Sequence, residues 1–327
     1  MSPQLLAISP EAYRPHSLHA TERIWNETNC YVDVWIEVLH ALQVEPLAAA
    51  AFALSCDFEG DQWTFFKFPP EDLREAFGIE VTELNVWRPV IDHVLEQLDL
   101  GRLVTVEVDS WFLPDTHGVS YQIDHTKSTI VPNAVDLDAR ELDYFHNAGF
   151  FGLSGDNFDG VFRTGAHATN AGLPPYVETI KLERLRRDDD ATLTETAVHG
   201  LKTHRERLPA TNPITRMGAK INGDLDWLRA GDLETFHLYA FGTCRQCGAS
   251  AELASDFLTW LADRSPSAAE PLREAAARWR DIATGAKSLQ FMLARVARGR
   301  SADLEPLITD MASNWDAAIT ALGHVPA

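Results

Sequence analysis

The sequence predicts an α+β domain followed by an all-helical one. Up to about residue 165, short β-branched runs and amphipathic stretches alternate with turn residues; beyond Pro174-Pro175, apolar side chains recur almost continuously at helical spacing. The charge balance shifts at the same place. Residues 1–165 carry 27 acidic and 9 basic side chains, and residues 166–327 carry 21 and 19. A chain of 327 residues is long enough for two domains, here 1–165 and 166–327.

The elements follow in order. Thr28-Asn29 offers an N-cap oxygen ahead of Tyr31–Leu42, where Val32, Trp35, Ile36 and Leu39 share a helical face. A second helix is expected over Val86–Leu98. Leu103–Phe112 is β-branched, partly alternates, and reads as a strand ending at Leu113-Pro114-Asp115. Ser128–Val131 is a second strand, stopped by Pro132-Asn133, and Glu141–His146 a third, stopped by Asn147-Ala148-Gly149. Short turns between them predict an antiparallel sheet. Later helices are expected over Thr192–Leu208, Arg216–Arg229, Leu233–Arg264, Ala268–Arg298 and Asp303–Leu322.

Composition narrows the function. A net charge of −20 argues against a nucleic-acid partner, which needs a basic footprint. No apolar run approaches the roughly 18 residues of a membrane span, so no membrane partner is expected. Met1–Ile8 has neither the basic region nor the apolar core of a secretory signal. Cys30, Cys56, Cys244 and Cys247 are too few and scattered for a disulfide scaffold, and a cytoplasmic location is the default. The acidic first part suits a cationic ligand, although acidic surfaces also serve solubility alone.

Cys30 is the leading candidate for chemistry. At a helix start, free N–H groups and the helix dipole favour negative charge, which suits a thiolate and an oxyanion on an attacked carbonyl. Such a nucleophile needs a base. His125, at the mouth of the Ser128–Val131 strand, is the best candidate, with Asn147 or Asp143 on the next strand to orient it. Cysteine on a helix, histidine on a strand, then Asn or Asp on the following strand is the papain-like order. The bland alternative is an inert, buried Cys30. Cys244-Arg245-Gln246-Cys247 has CxxC form but lacks a redox or zinc context, so packing is expected. Asp115, His117, Asp124 and His125 match no metal motif, and no metal is expected. The loop Asp57–Lys67, with Asp61, Gln62 and Trp63, is a candidate pocket wall among mostly core aromatics.

Asn29–Glu37, Asp57–Lys67, Leu84–Pro89, Asp109–Thr116, His125–Lys127, Tyr144–Gly149, Phe236–Tyr239 and Arg245–Ala249 together resemble a bacterial family of unknown function over nearly the whole chain. Its members are often encoded beside amino acid:carrier-protein ligases and small carrier proteins. The first half is similar, more distantly, to the N-terminal domain of the butirosin-type acyltransferase, whose fold is papain-like. The shared features are the helix-start Cys30, the Val108-Asp109 to Leu113-Pro114 segment, and His125 beyond it. The peptidase glutamine six residues before the cysteine is missing, since that residue is Ile24; Asn29 and Asn26 are the nearby amides.

The resemblance implies a papain-like cysteine-peptidase-type domain that transfers an aminoacyl group from a carrier-protein thioester to an amine through a Cys30 acyl-enzyme, in natural-product biosynthesis. Its partners would be an aminoacylated carrier protein and a small amine acceptor. No cofactor is needed beyond the phosphopantetheine arm that carries the substrate. Catalytic candidates are Cys30, His125, Asn147 and Asp143; substrate-binding candidates are Asn29, Asp109, Asp61, Gln62 and Trp63. A cysteine hydrolase and a non-catalytic pathway scaffold are the alternatives. Basic clusters at Lys181, Arg184, Arg186, Arg187 and at Lys202, Arg205, Arg207 either meet an acidic carrier or form a solvated face balanced by Asp188–Asp190.

Overall fold

A computed structural model describes residues 4–169 and 172–326; residues 1–3, the start of the N-terminal stretch read above, lie outside them. The chain forms two compact units. The first comprises the chain to Ala20, Asn29–Glu45 and Pro69–Arg187; the second comprises Thr21–Thr28, Pro46–Phe68 and the chain from Asp188.

The first unit is α+β. Its strands are β1 (Glu80–Glu83), β2 (Leu103–Asp109), β3 (Lys127–Asp136), β4 (Glu141–His146), β5 (Gly149–Ser154) and β6 (Val177–Lys181). They form one six-stranded sheet in the order β1-β6-β2-β3-β4-β5, antiparallel throughout. Helix α1 (Cys30–Ala41) packs on β3, β4 and β5, and α3 (Val90–Asp99) on β2 and β3. Between them in sequence lies α2 (Pro70–Phe77); α4 (Asp156–Phe162) follows β5. Helix α1 forms because Asn29 accepts hydrogen bonds from the Tyr31 and Val32 N–H groups and Tyr31–Leu39 are all buried. Burying Val32, Trp35, Ile36 and Leu39 contributes roughly 1.5–3 kcal/mol each.

The composition change near residue 165 is not the structural boundary. Strand β6 inserts between β1 and β2, so the first unit runs to Arg187. The strand expected to stop at Pro132-Asn133 instead continues to Asp136, with a register shift between Pro132 and Ala134. Proline is tolerated there because the β2 ladder has ended, at Val106↔Ile130, and the strand is bulged. Beyond that point Gln4 bridges Ala134, and the Leu5 N–H donates to the Asn133 carbonyl at 3.0 Å. Strand β2 ends at Asp109, whose side chain caps a short 3-10 turn, Ser110–Phe112.

The second unit is helical: α5 (Asp190–Glu206), α6 (Pro213–Ala230), α7 (Leu233–Ala240), α8 (Gln246–Arg264), α9 (Ala269–Ala297) and α10 (Glu305–Gly323). The expected single helix Leu233–Arg264 is interrupted by a π-helical turn, Phe241–Arg245. There the Gly242 carbonyl accepts the Trp63 N–H at 2.7 Å. Helices α8 and α9 pack along each other, and α10 lies on α9 and α6. The segment Thr21–Thr28 is stitched to this bundle by fully buried Glu252, which accepts the Trp25 N–H at 2.7 Å and pairs with Arg280 at 2.7 Å. Among the described residues, no helix is long and apolar enough to cross a membrane.

Candidate functional site

Cys30 is the first residue of α1. Asn29 takes the Tyr31 and Val32 N–H groups on its side chain and the Asp33 N–H on its carbonyl. The first-turn amide left open is therefore that of Cys30 itself, which makes no hydrogen bond among the described residues. This commits the Asn29 side-chain oxygen to the cap. The Cys30 thiol contacts Thr129 Oγ1 on β3, at 3.9 Å. Cys30 is half-buried, whereas Cys56, Cys244 and Cys247 are buried. Burial pushes the Cys56 and Cys244 thiols up to about 12 and also raises that of Cys247 well above its ordinary value.

The next residue, Tyr31, fixes the helix start against the sheet. Its hydroxyl donates to Glu178 Oε2 at 2.7 Å, the same oxygen that accepts from Thr105 at 3.0 Å. Glu178 Oε1 accepts the Tyr176 hydroxyl at 2.9 Å. Burial first, then the Glu178 charge, keeps the Tyr31 phenol protonated.

His125 stands just before β3. Its Nδ1 lies 2.6 Å from Asp109 Oδ2, and its ring stacks on Trp111 with centroids 4.4 Å apart. This assigns the proton to Nδ1 and leaves Nε2 as the acceptor. Asp109 pairs with Lys127 and Glu107 with Thr129, so strand alternation puts Asp109, Glu107, Lys127 and Thr129 on the face that meets Cys30. Glu107 and Lys127 form an ion pair at 2.6 Å. Glu107, Asp109 and Lys127, with His125, Arg163, Tyr176 and the Leu173-Pro174-Pro175 run, line a cleft of about 460 Å³.

The structure thus joins His125 to Asp109, a residue expected to bind substrate. It does not bring His125 into hydrogen-bond contact with Cys30; Thr129 stands opposite the sulfur. Asn147 lies in the two-residue turn between β4 and β5, with φ +43°. Asp143 pairs with Ala134, toward the other end of β3; burial, then Glu11 and Glu141, raise its carboxyl. His125 hydrogen-bonds neither of them. Asp61, Gln62 and Trp63 belong to the second unit. Trp63 is a core residue whose indole donates to Ser250 at 3.1 Å, while Asp61 and Gln62 are exposed at a separate cleft. The basic cluster before α5 is partly committed: Arg186 donates to the Glu75 carbonyl at 2.6 Å, and Arg187 to that of Leu42 at 2.9 Å.

Two buried polar assemblies have no counterpart in the expected site. On the sheet face away from Cys30, the Ser128 hydroxyl meets His146 Nε2 at 2.5 Å, and His146 Nδ1 meets Asp115 at 2.5 Å; Tyr144 also donates to Asp115. The order is that of a Ser-His-Asp triad, but Ser128 and His146 are 7% and 0% exposed, which makes it a tie between β3, β4 and the Asp115 turn. The second assembly joins His19 to Asp33 and Glu37 of α1. Its signal was present: Asp33 and Glu37 are the two carboxylates in a helix apolar on every side, and acids so placed need a buried partner.

The sequence matches the DUF1839 N-terminal domain over residues 14–182 and the DUF1839 C-terminal domain over residues 190–324. A comparison with curated proteins gives no match.

Proposed function

The chain belongs to the DUF1839 family, and we propose that its first unit is a papain-like, thiol-dependent acyltransferase. Cys30 attacks the thioester of an aminoacyl group on the phosphopantetheine arm of a carrier protein. The pantetheine thiol leaves with a proton, and the aminoacyl group stays on the sulfur. A small amine then attacks the Cys30 thioester, loses a proton and regenerates the thiol.

One observation carries this reading. Cys30, the half-buried cysteine, opens a helix packed on an antiparallel sheet, with its own amide unbonded beside the sulfur. In this reading that amide donates to the oxyanion of the tetrahedral intermediate. On the same face, His125 is the proton carrier. Its side chain is 65% exposed, and Asp109 sets its tautomer. Asp109 takes the orienting role in preference to Asn147 or Asp143, because it already holds Nδ1.

The test is incubation with aminoacyl pantetheine thioesters, an acid quench, and peptide mass mapping. An aminoacyl increment on the Cys30 peptide, absent in Cys30→Ala and discharged by added amine, is the expected result. Discharge to the free amino acid at the same rate without amine would make the protein a hydrolase. A folded protein whose Cys30 peptide gains no mass with any aminoacyl thioester removes the nucleophile and leaves a scaffold.

A further inference from the structure

We propose that the second unit binds an organic ammonium ion in the cleft bounded by α6, α7, the π-helical turn and the Asp61-Gln62 loop. The cleft encloses about 340 Å³, room for a small head group rather than a chain. Two of its lining residues are aromatic: the rings of Trp227 and Tyr239 meet at 5.9 Å between centroids and 52° between planes, forming a corner beside Leu238 and Thr235. Trp227 is 56% exposed, far more than a tryptophan retained only for packing.

The charge carried by the lining residues has one sign. Asp61 is the charged side chain among the lining residues, and it makes no hydrogen bond or ion pair among the described residues. The neighbouring carboxylate, Asp224, is already satisfied. It accepts the Tyr239 hydroxyl at 2.9 Å and pairs with Lys220 at 2.5 Å, which tethers the tyrosine ring and cancels its own charge. An aromatic corner with a single open carboxylate does not offer the oxygen ligands of a hard metal ion. It suits a weakly hydrated alkylated cation, attracted by the ring faces and by one counter-charge.

The floor is built from the irregular part of the fold. The wide turn at Phe241–Arg245 exposes the Gly242 carbonyl, which fixes Trp63 and so positions Asp61 and Gln62 beside it. Thr243 is tied to the Tyr239 carbonyl at 2.6 Å. A regular helix would carry the Gly242 carbonyl back into its own ladder, and π turns recur at functional sites for this reason.

This site is independent of Cys30 chemistry and is tested without it. Choline and its uncharged isostere 3,3-dimethylbutan-1-ol are titrated into the full chain in 150 mM salt, following tryptophan indole N–H resonances by NMR. The Trp227 signal is assigned by its loss in Trp227→Phe. Choline is expected to shift that signal saturably and to bind at least about 10-fold tighter than the isostere. Asp61→Asn should weaken choline about 3–10-fold by the Trp227 signal, and Trp227→Ala at least about 10-fold by calorimetric titration, with unchanged melting temperatures. Equal binding of the two probes, shifts spread evenly over the indoles, or choline affinity unchanged in both variants would each overturn the proposal.

Discussion

Replacing Glu37 with glutamine is expected to destabilise the first unit by about 3–5 kcal/mol, the cost of stranding a buried charge. The His19 ring lies between Glu37 and Asp33, with side chains 1%, 0% and 2% exposed. Glu37 also accepts the Tyr13 hydroxyl and, at 3.0 Å, the His16 N–H. Burial alone would pull the His19 imidazole down, but hydrogen bonds to Asp33 and Glu37, and their charges, raise it to about 9. His19 is therefore an imidazolium at neutral pH, clamping the N-terminal arm to α1. A group raised on folding stabilises fully below its unfolded value of about 6.5, and that stability fades as pH climbs through about 9. At about 1.4 kcal/mol per pH unit, the loss across this window is about 3 kcal/mol. Urea unfolding at intervals from pH 6 to 9.5 should show that decline in the natural chain and a shallower one in Glu37→Gln. The same slope in both would mean that another group titrates.

Much of the fold is legible from local chemistry. The start of α1 is visible in Asn29, and β4 at Glu141–His146 matches its alternation residue for residue. Strand β5 was hidden because Gly149-Phe150-Phe151-Gly152 has neither alternation nor β-branched residues; β4 recruits it through the Asn147-Ala148 turn. Strands β1 and β6 are four and five residues long, too short for a periodic signal, and pair across almost a hundred residues. The π-helical turn is invisible for a different reason. It keeps the apolar period of α7 and α8 nearly in phase and differs only in which carbonyl is freed. At the site, chain order pointed from His125 forward to Asn147 and Asp143. The partner comes from behind, because antiparallel pairing of β2 with β3 returns Asp109 to Lys127, two residues from His125. Sheet register is a long-range property, which a motif in one strand does not encode.

Adding one methyl group at Gly160 is expected to disturb that same pairing from the far side. Gly160 lies in α4, and a Cβ there would stand 2.1 Å from Phe112 Cδ1, with more of the ring within 2.4 Å. Phe112 is buried and closes the 3-10 turn that Asp109 caps through the Trp111 N–H at 3.0 Å. The ring cannot yield without moving this turn, which carries both the carboxylate that holds His125 and the indole it stacks on. Overpacking of this kind costs about 1–3 kcal/mol, offset by at most about 1 kcal/mol of helix propensity gained over glycine. Gly223, inside α6, is the internal control: nothing lies within 4 Å of the position its Cβ would take, so Gly223→Ala should stabilise by up to about 1 kcal/mol. Gly160→Ala should shift the unfolding midpoint the other way. It should also bring the His125 ring resonances toward those of Asp109→Asn, the variant that directly replaces the carboxylate accepting from Nδ1–H. If both glycine variants gain stability and the His125 resonances stay in place, Phe112 is not the wedge that holds Asp109 to His125.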